Sequence, residues 1–409
     1  MKMKRSIHLT AFLLMTLVIS LVMGSAAAVA GQAVVEVSVV SWFPTNPGSY
    51  LDNLKKAFEE ANPGYKIVYQ TFDSNTYYDR LQVMLVGEVI PDVAMLGFDW
   101  IATMAENGMA MNIDQLVREE FPYQEMFPSI QRSLQWKGQF YALCRDITAK
   151  TFFYNKAHFA EAGLADPAET WTWNDFVNIG KKLQKGTGDN TERWAFYTTF
   201  VRDGYYHWFP TNGADWFNYD RTEVTMTDSR TVETFQFLHD LIYRDGLAPT
   251  PAQAGKLRSP FENGIASMQV GGSVPPSATT YPNLEWEATL LPRKLQAGSR
   301  VWSNLWFIPA KTANKEAAWK VLSFFAGPEG QRIAAMDNRV PAIYSVVREL
   351  NLHPYIVKAF EVGIPFPVIA NRDVWNVFDS LLPKLWANEQ PVSNILAEIQ
   401  RQTAPMMRN

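Results

Sequence analysis

Residues 34–96 constrain the fold most, because strand and helix patterns alternate along this segment. A run of alternating valines predicts the first strand, and apolar residues spaced three and four apart predict the helix after it. A β-α-β-α-β order implies a mainly parallel sheet with right-handed crossovers, and ligands bind such sheets at the carboxyl ends of the strands. The predicted elements are a strand ending at Trp42, a helix over 51–61, a strand over 65–70, a helix over 77–89 and a strand over 92–96.

The first 30 residues have the layout of a secretory signal peptide. A basic start precedes an apolar run over 9–23, and Ala28-Val29-Ala30 fits an A-x-A cleavage site. The alternative is an uncleaved anchor helix, because the apolar and small residues together nearly span a bilayer. The region around the cleavage site lacks cysteine, which excludes a lipid anchor at a new N-terminal cysteine. We therefore expect a periplasmic or extracellular protein.

Charge and cysteine content exclude further classes of protein. Cleavage after Ala30 leaves 409 − 30 = 379 residues with a net charge of −4 − 3 = −7, which argues against binding to nucleic acid. A chain of this length usually forms more than one domain or lobe. Cys144 is the single cysteine, so an internal disulfide is excluded and the fold depends on packing alone. We expect the protein to be a monomer.

Aromatic residues point to the class of ligand. The chain contains 14 Trp, 16 Tyr and 25 Phe, and many of them stand beside Asn, Asp, Arg or Gly in loop-like segments. Aromatic faces next to polar groups suit ligands that have one apolar face and many hydroxyls. Sugars are the commonest ligands of this kind.

Motifs for catalysis, metal binding and cofactor binding are absent from the sequence. It has no G-x-S-x-G, H-E-x-x-H or P-loop motif, and its five histidines lack metal-ligand spacing. Asp99 and Asp146 are the best candidates for a glycosidase pair. The alternative is that both carboxylates accept hydrogen bonds from ligand hydroxyls or cap helices. Because no motif supports an acid and base pair, we expect a binding protein without enzymatic activity, metal or cofactor.

Six segments, in order over more than 300 residues, resemble the extracellular solute-binding proteins of family 1, the carbohydrate-binding subunits of bacterial ABC importers. Each segment alone is a weak match, and the order makes the resemblance specific. The segments are WFPTNPGSYLDNLKKAFEEANPGYKI, PDVAMLGFDWIATMAENGMAMNIDQL, KGQFYALCRDITAKTFFYNKAHFAEAGL, ETWTWNDF, FENGIASMQVGG and KEAAWKVLSFFAGPEGQ.

The resemblance implies a two-lobed α/β fold of the periplasmic-binding-protein type, similar to type II, in which each lobe has a mainly parallel sheet flanked by helices. Lobe one would contain residues 31–147 and 293–345, and lobe two would contain residues 148–292 and 346–409. A carbohydrate, expected to be an oligosaccharide, would bind in the cleft at the hinge and pass to the membrane permease of the importer. Hinge closure would bury it.

The resemblance and the strand ends together indicate the site residues. Some of them have a structural alternative: Trp42 and Trp208 fit a core, and the pair Arg145 and Asp146 fits a salt bridge that locks the hinge. The family's usual G-P-W platform is replaced by a run that contains Gly272 and Ser273, and Cys144 stands where Pro is usual. The candidate ligand-binding residues are Trp42, Asp99, Trp100, Arg145, Asp146, Tyr206, Trp208, Gly272, Ser273, Trp302, Arg372 and Trp375.

Two other functions stay open at this point. The first is binding of another solute, such as a polyol, a phosphodiester or a peptide. The second is a secreted glycosidase. Arg145 and Arg372 suit an acidic sugar, since Arg matches the geometry of a carboxylate, but they suit neutral hydroxyls equally well.

Overall fold

The β-α-β-α-β pattern at the start of the chain forms as the sequence predicts. A computed structural model describes residues 34–407, so the predicted signal peptide lies outside the described residues. Strand β1 buries Val37 and Val39, and the first helix buries Leu51, Leu54 and Phe58 on one face. The Ser49 side chain accepts a hydrogen bond from the Asp52 N–H at the start of that helix. The second predicted helix is shorter than expected and ends at Val86.

The described residues contain twelve strands and seventeen α-helices. The strands are β1 (Val35–Ser41), β2 (Tyr65–Thr71), β3 (Val93–Gly97), β4 (Gln135–Trp136), β5 (Gln139–Phe140), β6 (Ala142–Ala149), β7 (Thr151–Asn155), β8 (Trp194–Tyr197), β9 (Ala266–Gly271), β10 (Trp286–Thr289), β11 (Ser299–Phe307) and β12 (Gly363–Pro365). The helices are α1 (Tyr50–Ala61), α2 (Tyr77–Val86), α3 (Ile101–Glu106), α4 (Asp114–Glu120), α5 (Pro128–Ser133), α6 (Lys156–Glu161), α7 (Trp173–Leu183), α8 (Arg202–Tyr205), α9 (Trp208–Thr211), α10 (Ser229–Tyr243), α11 (Pro251–Ala254), α12 (Lys315–Ala326), α13 (Pro328–Met336), α14 (Tyr344–Glu349), α15 (Pro354–Glu361), α16 (Asp373–Trp386) and α17 (Val392–Thr403).

The first lobe is built on a six-stranded sheet. Five strands follow the order β12-β11-β3-β1-β2, and the sixth strand, β6, also pairs with β11. Strand β1 is parallel to β2 and β3, and β12 is parallel to β11. Strand β11 is antiparallel to both β3 and β6. The carboxyl ends of β1 and β3 therefore lie at the same edge of the sheet, where the candidate ligand residues follow them.

The second lobe has a four-stranded sheet in the order β10-β7-β9-β8. Only β8 and β9 are parallel, whereas β7 is antiparallel to both β9 and β10. The prediction of a mainly parallel sheet is therefore wrong for this lobe. The reason is that β7 enters directly from β6 of the first sheet, with only Lys150 between them, so its direction is set by the crossover and not by a β-α-β unit.

Each lobe has its own apolar core. The chain crosses from one lobe to the other near Lys150, near residues 290–298 and after β12. The first core contains Val346, Val347, Ile356 and Phe360, and β12 pairs with β11 of the first sheet. Residues 346–365 thus pack with the first lobe, although the sequence prediction assigned them to the second. Residues from Phe366 onward return to the second core. Among residues 34–407, the helices are all too short or too polar to cross a membrane.

Candidate functional site

Aromatic side chains surround the carboxyl ends of β1 and β3. Trp42 follows β1, is half-buried, and packs edge-on against Tyr77 with ring centroids 4.8 Å apart. Trp100 lies in a short 3-10 turn after β3 and stacks on Tyr78 at 4.4 Å, with the rings inclined by only 11°. The Tyr78 hydroxyl accepts a hydrogen bond of 2.8 Å from the Gly97 N–H, which fixes this ring at the strand end. Burial raises the pKa of Tyr78, so the hydroxyl stays neutral.

Arg372 connects this strand end to the other lobe. It immediately precedes α16, whose Val374 and Trp375 are buried in the second core. Its Nη1 donates to the Asp99 carbonyl at 2.7 Å and to the Asp99 carboxylate at 2.6 Å. The guanidinium carbon also lies 4.1 Å from the centre of the Trp100 ring, in range of a cation–π contact. Three predicted residues, Asp99, Trp100 and Arg372, therefore meet at one point between the lobes.

Further charged and aromatic pairs lie at the crossover and in the second lobe. Lys150 lies in the crossover between β6 and β7, forms an ion pair of 2.7 Å with Asp203, and approaches the half-buried Trp302 ring at 5.2 Å. The Arg202 guanidinium lies 4.4 Å from the Trp375 ring centre.

Phe366 joins the two groups of residues, because it packs against Phe98 at 5.3 Å and against Trp302 at 6.1 Å. The sequence analysis missed Tyr78, Lys150, Arg202, Asp203 and Phe366. For Lys150, the sequence offered one signal, namely its position directly after the segment that forms β6.

Arg145 and Asp146 lie inside β6, beside a bulge in its pairing with β11. Both side chains are buried and form an ion pair with each other. Asn304 donates to the Asp146 carboxylate at 3.2 Å, and the Arg145 guanidinium carbon lies 4.2 Å from the Phe43 ring centre. This arrangement matches the alternative in which Arg145 and Asp146 form a salt bridge with each other. It also leaves Asp146 without the solvent access that a glycosidase acid or base needs.

Trp208 and Tyr206 lie in the second core, so neither ring offers a stacking surface in this conformation. Trp208 has no exposed surface and packs edge-on against Phe196 at 5.6 Å. The Tyr206 hydroxyl donates to Asp215, and burial raises the pKa of Tyr206 well above its ordinary value. The prediction that these two residues contact ligand therefore does not hold in this conformation. The reason is that Tyr206, at the end of α8, and Trp208, at the start of α9, both turn their rings into the core, which is the alternative that the sequence left open.

Gly272 and Ser273 follow β9, and their surroundings differ. A side chain at Gly272 would meet no atom within 4 Å, so this backbone borders open space. Ser273 is buried, and its hydroxyl accepts from the Ala149 N–H at 2.8 Å and lies 3.1 Å from the Ala149 carbonyl. Ser273 therefore ties the end of β9 to the end of β6, and its hydroxyl is already occupied.

A cavity of about 1800 Å³ also lies between the lobes, and none of the predicted site residues lines it. Trp136 and Lys137 of the β4–β5 hairpin belong to its first-lobe wall, and Asp215 and Arg221 belong to its second-lobe wall. The crossover after β12 contributes Phe366, so this segment separates the cavity from the strand ends. Over residues 34–407, no three His, Cys, Asp or Glu side chains come close enough to hold a metal ion.

Two α/β lobes joined by crossovers, with polar and aromatic side chains at the strand ends between them, define a two-lobed solute-binding protein. The chain belongs to the bacterial extracellular solute-binding protein family, whose model matches residues 44–332. The predicted family and the two-lobed α/β fold are confirmed.

Among curated relatives, the chain is similar to a maltotriose-binding protein of Pyrococcus abyssi, with 24% identity over 76% of this chain and 68% of the relative. Among solved structures it is similar to the ABC substrate-binding protein Lmo0181 from Listeria monocytogenes in complex with cycloalternan. That match has a TM-score of 0.77, 23% identity, and coverage of 91% of this chain and 99% of the other. The sugar-binding protein MalE from Xanthomonas citri matches with a TM-score of 0.78 at 16% identity, over 91% of this chain and 97% of that one. At these identities the structural matches establish the fold.

Proposed function

We propose that this protein captures an oligosaccharide outside the cytoplasmic membrane and delivers it to the permease of an ABC importer. The observation that carries the proposal is the meeting of Asp99 and Trp100 of the first lobe with Arg372 of the second. Membership of the solute-binding family supports transport as the purpose of binding. The relative named as a maltotriose-binding protein and the neighbour solved in complex with cycloalternan support an oligosaccharide as the ligand.

In this proposal the half-buried rings of Trp42 and Trp302 pack against sugar faces, whereas Trp100, which stacks on Tyr78 and carries the Arg372 guanidinium over its ring, holds Arg372 in place. Asp99 and Arg372 exchange hydrogen bonds with sugar hydroxyls, and the backbone at Gly272 lets the ligand approach closely. Because these groups belong to both lobes, a ligand that bonds to all of them favours the closed arrangement over the open one. Trp375 is buried, and its ring mainly holds the Arg202 guanidinium in place.

Titration with a sugar panel tests the proposal. Purified protein is titrated with maltotriose, maltose, arabinotriose, a polyol and a tripeptide, and both heat and intrinsic tryptophan fluorescence are recorded. We expect at least one oligosaccharide to bind with a fluorescence change, because closure alters the solvent exposure of several tryptophans together. Binding at 100 times the dissociation constant should add about 2.7 kcal/mol to the free energy of unfolding. Binding of only the polyol or the tripeptide contradicts the proposed ligand class.

We further propose that the protein binds without chemistry. The bound sugar should be recovered unchanged after long incubation, as measured by chromatography of the supernatant. Release of a shorter sugar by pure protein, lost in Asp99→Asn, would establish a glycosidase instead.

Export with cleavage after Ala30, and a monomeric state, complete the proposal. Mass spectrometry of protein from the native host should find a chain that starts at Gly31, and light scattering should give the mass of one chain. An intact Met1 in the membrane fraction contradicts cleavage.

A further inference from the structure

The cations at the strand ends are already paired with carboxylates. Arg372 contacts Asp99 at 2.6 Å, and Lys150 contacts Asp203 at 2.7 Å. Arg202 lies 3.2 Å from Asp379 of α16. Charge at this site is therefore balanced by the protein itself before any ligand enters.

Exposure makes these pairs unequal toward an incoming ligand. The side chains of Asp203 and Asp379 are 57% and 55% exposed, whereas their partners Lys150 and Arg202 are 10% and 32% exposed. The carboxylates thus face solvent while the cations lie behind them against Trp302 and Trp375. An anionic ligand that enters the site therefore meets the exposed carboxylates of Asp203 and Asp379 before it reaches the cations. Because like charges repel, this approach is unfavourable.

Arg372 is the cation best placed to take a carboxylate, since Arg matches that group with two parallel hydrogen bonds. Its Nη1 is already committed twice to Asp99, through the carbonyl and the carboxylate. In the described part of the chain its Nε and Nη2 make no hydrogen bond to protein, so they can donate to the oxygen of a neutral hydroxyl. A carboxylate in the same place would lie beside Asp99 and share its cation.

Resting on the proposed function, we infer that this site selects neutral oligosaccharides against their uronic-acid counterparts, and that Asp99 is the residue that determines this specificity. Asp99 neutralises Arg372 and presents a carboxylate that accepts hydrogen bonds from hydroxyls but repels an anion. Asp203 acts in the same direction from the second lobe.

Matched pairs of sugars test this inference. The neutral probes are maltotriose and α-1,4-galactotriose, and the acidic probes are maltotriose oxidised to a carboxylate at C6 of the non-reducing glucose, and trigalacturonate. Each is titrated into the wild-type protein, Asp99→Asn, Asp203→Asn and Glu36→Gln. The last variant is the charge control, because Glu36 pairs with Lys66 near the start of β1, at the opposite end from the site.

For the wild type we expect the acid of a pair to bind at least about tenfold more weakly than the neutral sugar, equivalent to about 1.4 kcal/mol. Asp99→Asn should reduce that ratio about tenfold, and Glu36→Gln should leave it unchanged. Higher salt should also reduce the ratio, since screening weakens the repulsion. Melting curves without sugar identify any variant that fails to fold. If Asp99→Asn fails to fold, Asp203→Asn, at an exposed position, provides the same comparison of neutral and acidic sugars.

Acid binding equal to or tighter than neutral binding in the wild type overturns the inference but leaves oligosaccharide capture standing. An unchanged ratio in a folded Asp99→Asn overturns it as well, and if that variant fails to fold, an unchanged ratio in Asp203→Asn does so. If no sugar of either pair or of the wider panel binds the wild type, the proposed function fails and this inference fails with it.

Discussion

Arg300 of the first sheet lies 2.8 Å from Asp215, which belongs to the second lobe. The Arg300 side chain has no exposed surface, donates to the Pro365 carbonyl at 3.0 Å, and lies 4.3 Å from the Tyr206 ring centre. Burial raises the pKa of Asp215, but the Arg300 and Arg221 cations more than offset it, so that the pKa is below its usual value. The carboxylate stays ionised and joins a crossover strand to the second core.

Asp215→Asn should therefore destabilise the protein strongly. It leaves the Arg300 cation buried without a charged partner, and loss of one member of a buried pair costs about 3–5 kcal/mol. Urea unfolding at neutral pH measures the change. The control is Lys66→Met, which removes an exposed ion pair with Glu36 and should leave the unfolding midpoint nearly unchanged. Equal, small changes in both variants would mean that the pair does not anchor the hinge.

Tryptophans at the site and in the core should respond differently to truncation. Trp208→Ala removes a fully buried ring and should cost about 3–5 kcal/mol of stability, with little change of affinity in the protein that still folds. Trp302→Ala should instead weaken sugar binding at least about tenfold, since loss of about 1.4 kcal/mol of contact energy is one decade. Trp42, which packs on Tyr77 but is half-buried, should show both effects. Each variant needs a melting curve without ligand and a titration with it. Loss of stability alone in Trp302→Ala would remove this ring from the site.

Arg145 should act on stability and not on ligand contact. Arg145→Met leaves Asp146 as a buried carboxylate with only Asn304 as its partner, which costs about 3–5 kcal/mol. The double variant Arg145→Met with Asp146→Asn removes both charges and should recover much of that loss. Its sugar affinity should match the wild type, as measured by titration. A large loss of affinity in the folded double variant would restore Arg145 as a ligand residue.

Local patterns predicted the elements of the first lobe because the information for them is local. Alternating valines define β1, and the apolar face of α1 follows from spacing alone. In the second lobe, the Thr172–Asp175 capping box at the start of α7 is also a local feature. The antiparallel pairing of β7 was not accessible in this way, since it depends on where the chain crosses between lobes.

The position of a candidate site residue could be predicted best where the residue follows the end of a strand. Asp99 and Trp100 lie in the short turn that follows β3, so the fold alone brings them to the edge of the sheet. Trp208 was misplaced because a four-residue helix has too few residues for a periodic pattern to show which side faces the core. Arg202 and Asp203 were missed because their partners, Trp375 and Lys150, are distant in sequence.

His207 should make the protein less stable in mild acid. Burial lowers the pKa of His207 well below its ordinary value of 6.5, and the Lys150 cation lowers it further, although the Asp203 carbonyl accepts a hydrogen bond from the ring and opposes this. Below pH 6.5 the unfolded chain takes up a proton at this residue while the folded protein does not. Stability therefore falls as the pH falls, by up to about 1.4 kcal/mol per pH unit from this group, and is independent of it at higher pH.

Urea unfolding of the wild type and of His207→Gln between about pH 5 and pH 8 measures this slope. The glutamine amide can still donate to the Asp203 carbonyl but does not titrate, so the variant should show a shallower loss of stability below pH 6.5. The slope should not vanish, because burial also lowers the pKa of His158, to about 4, and this residue acts in the same direction. The double variant with His158→Gln should be flatter still. Identical slopes in the wild type and His207→Gln would show that His207 takes up its proton at the same pH in the folded and the unfolded chain, and hence that burial does not lower its pKa.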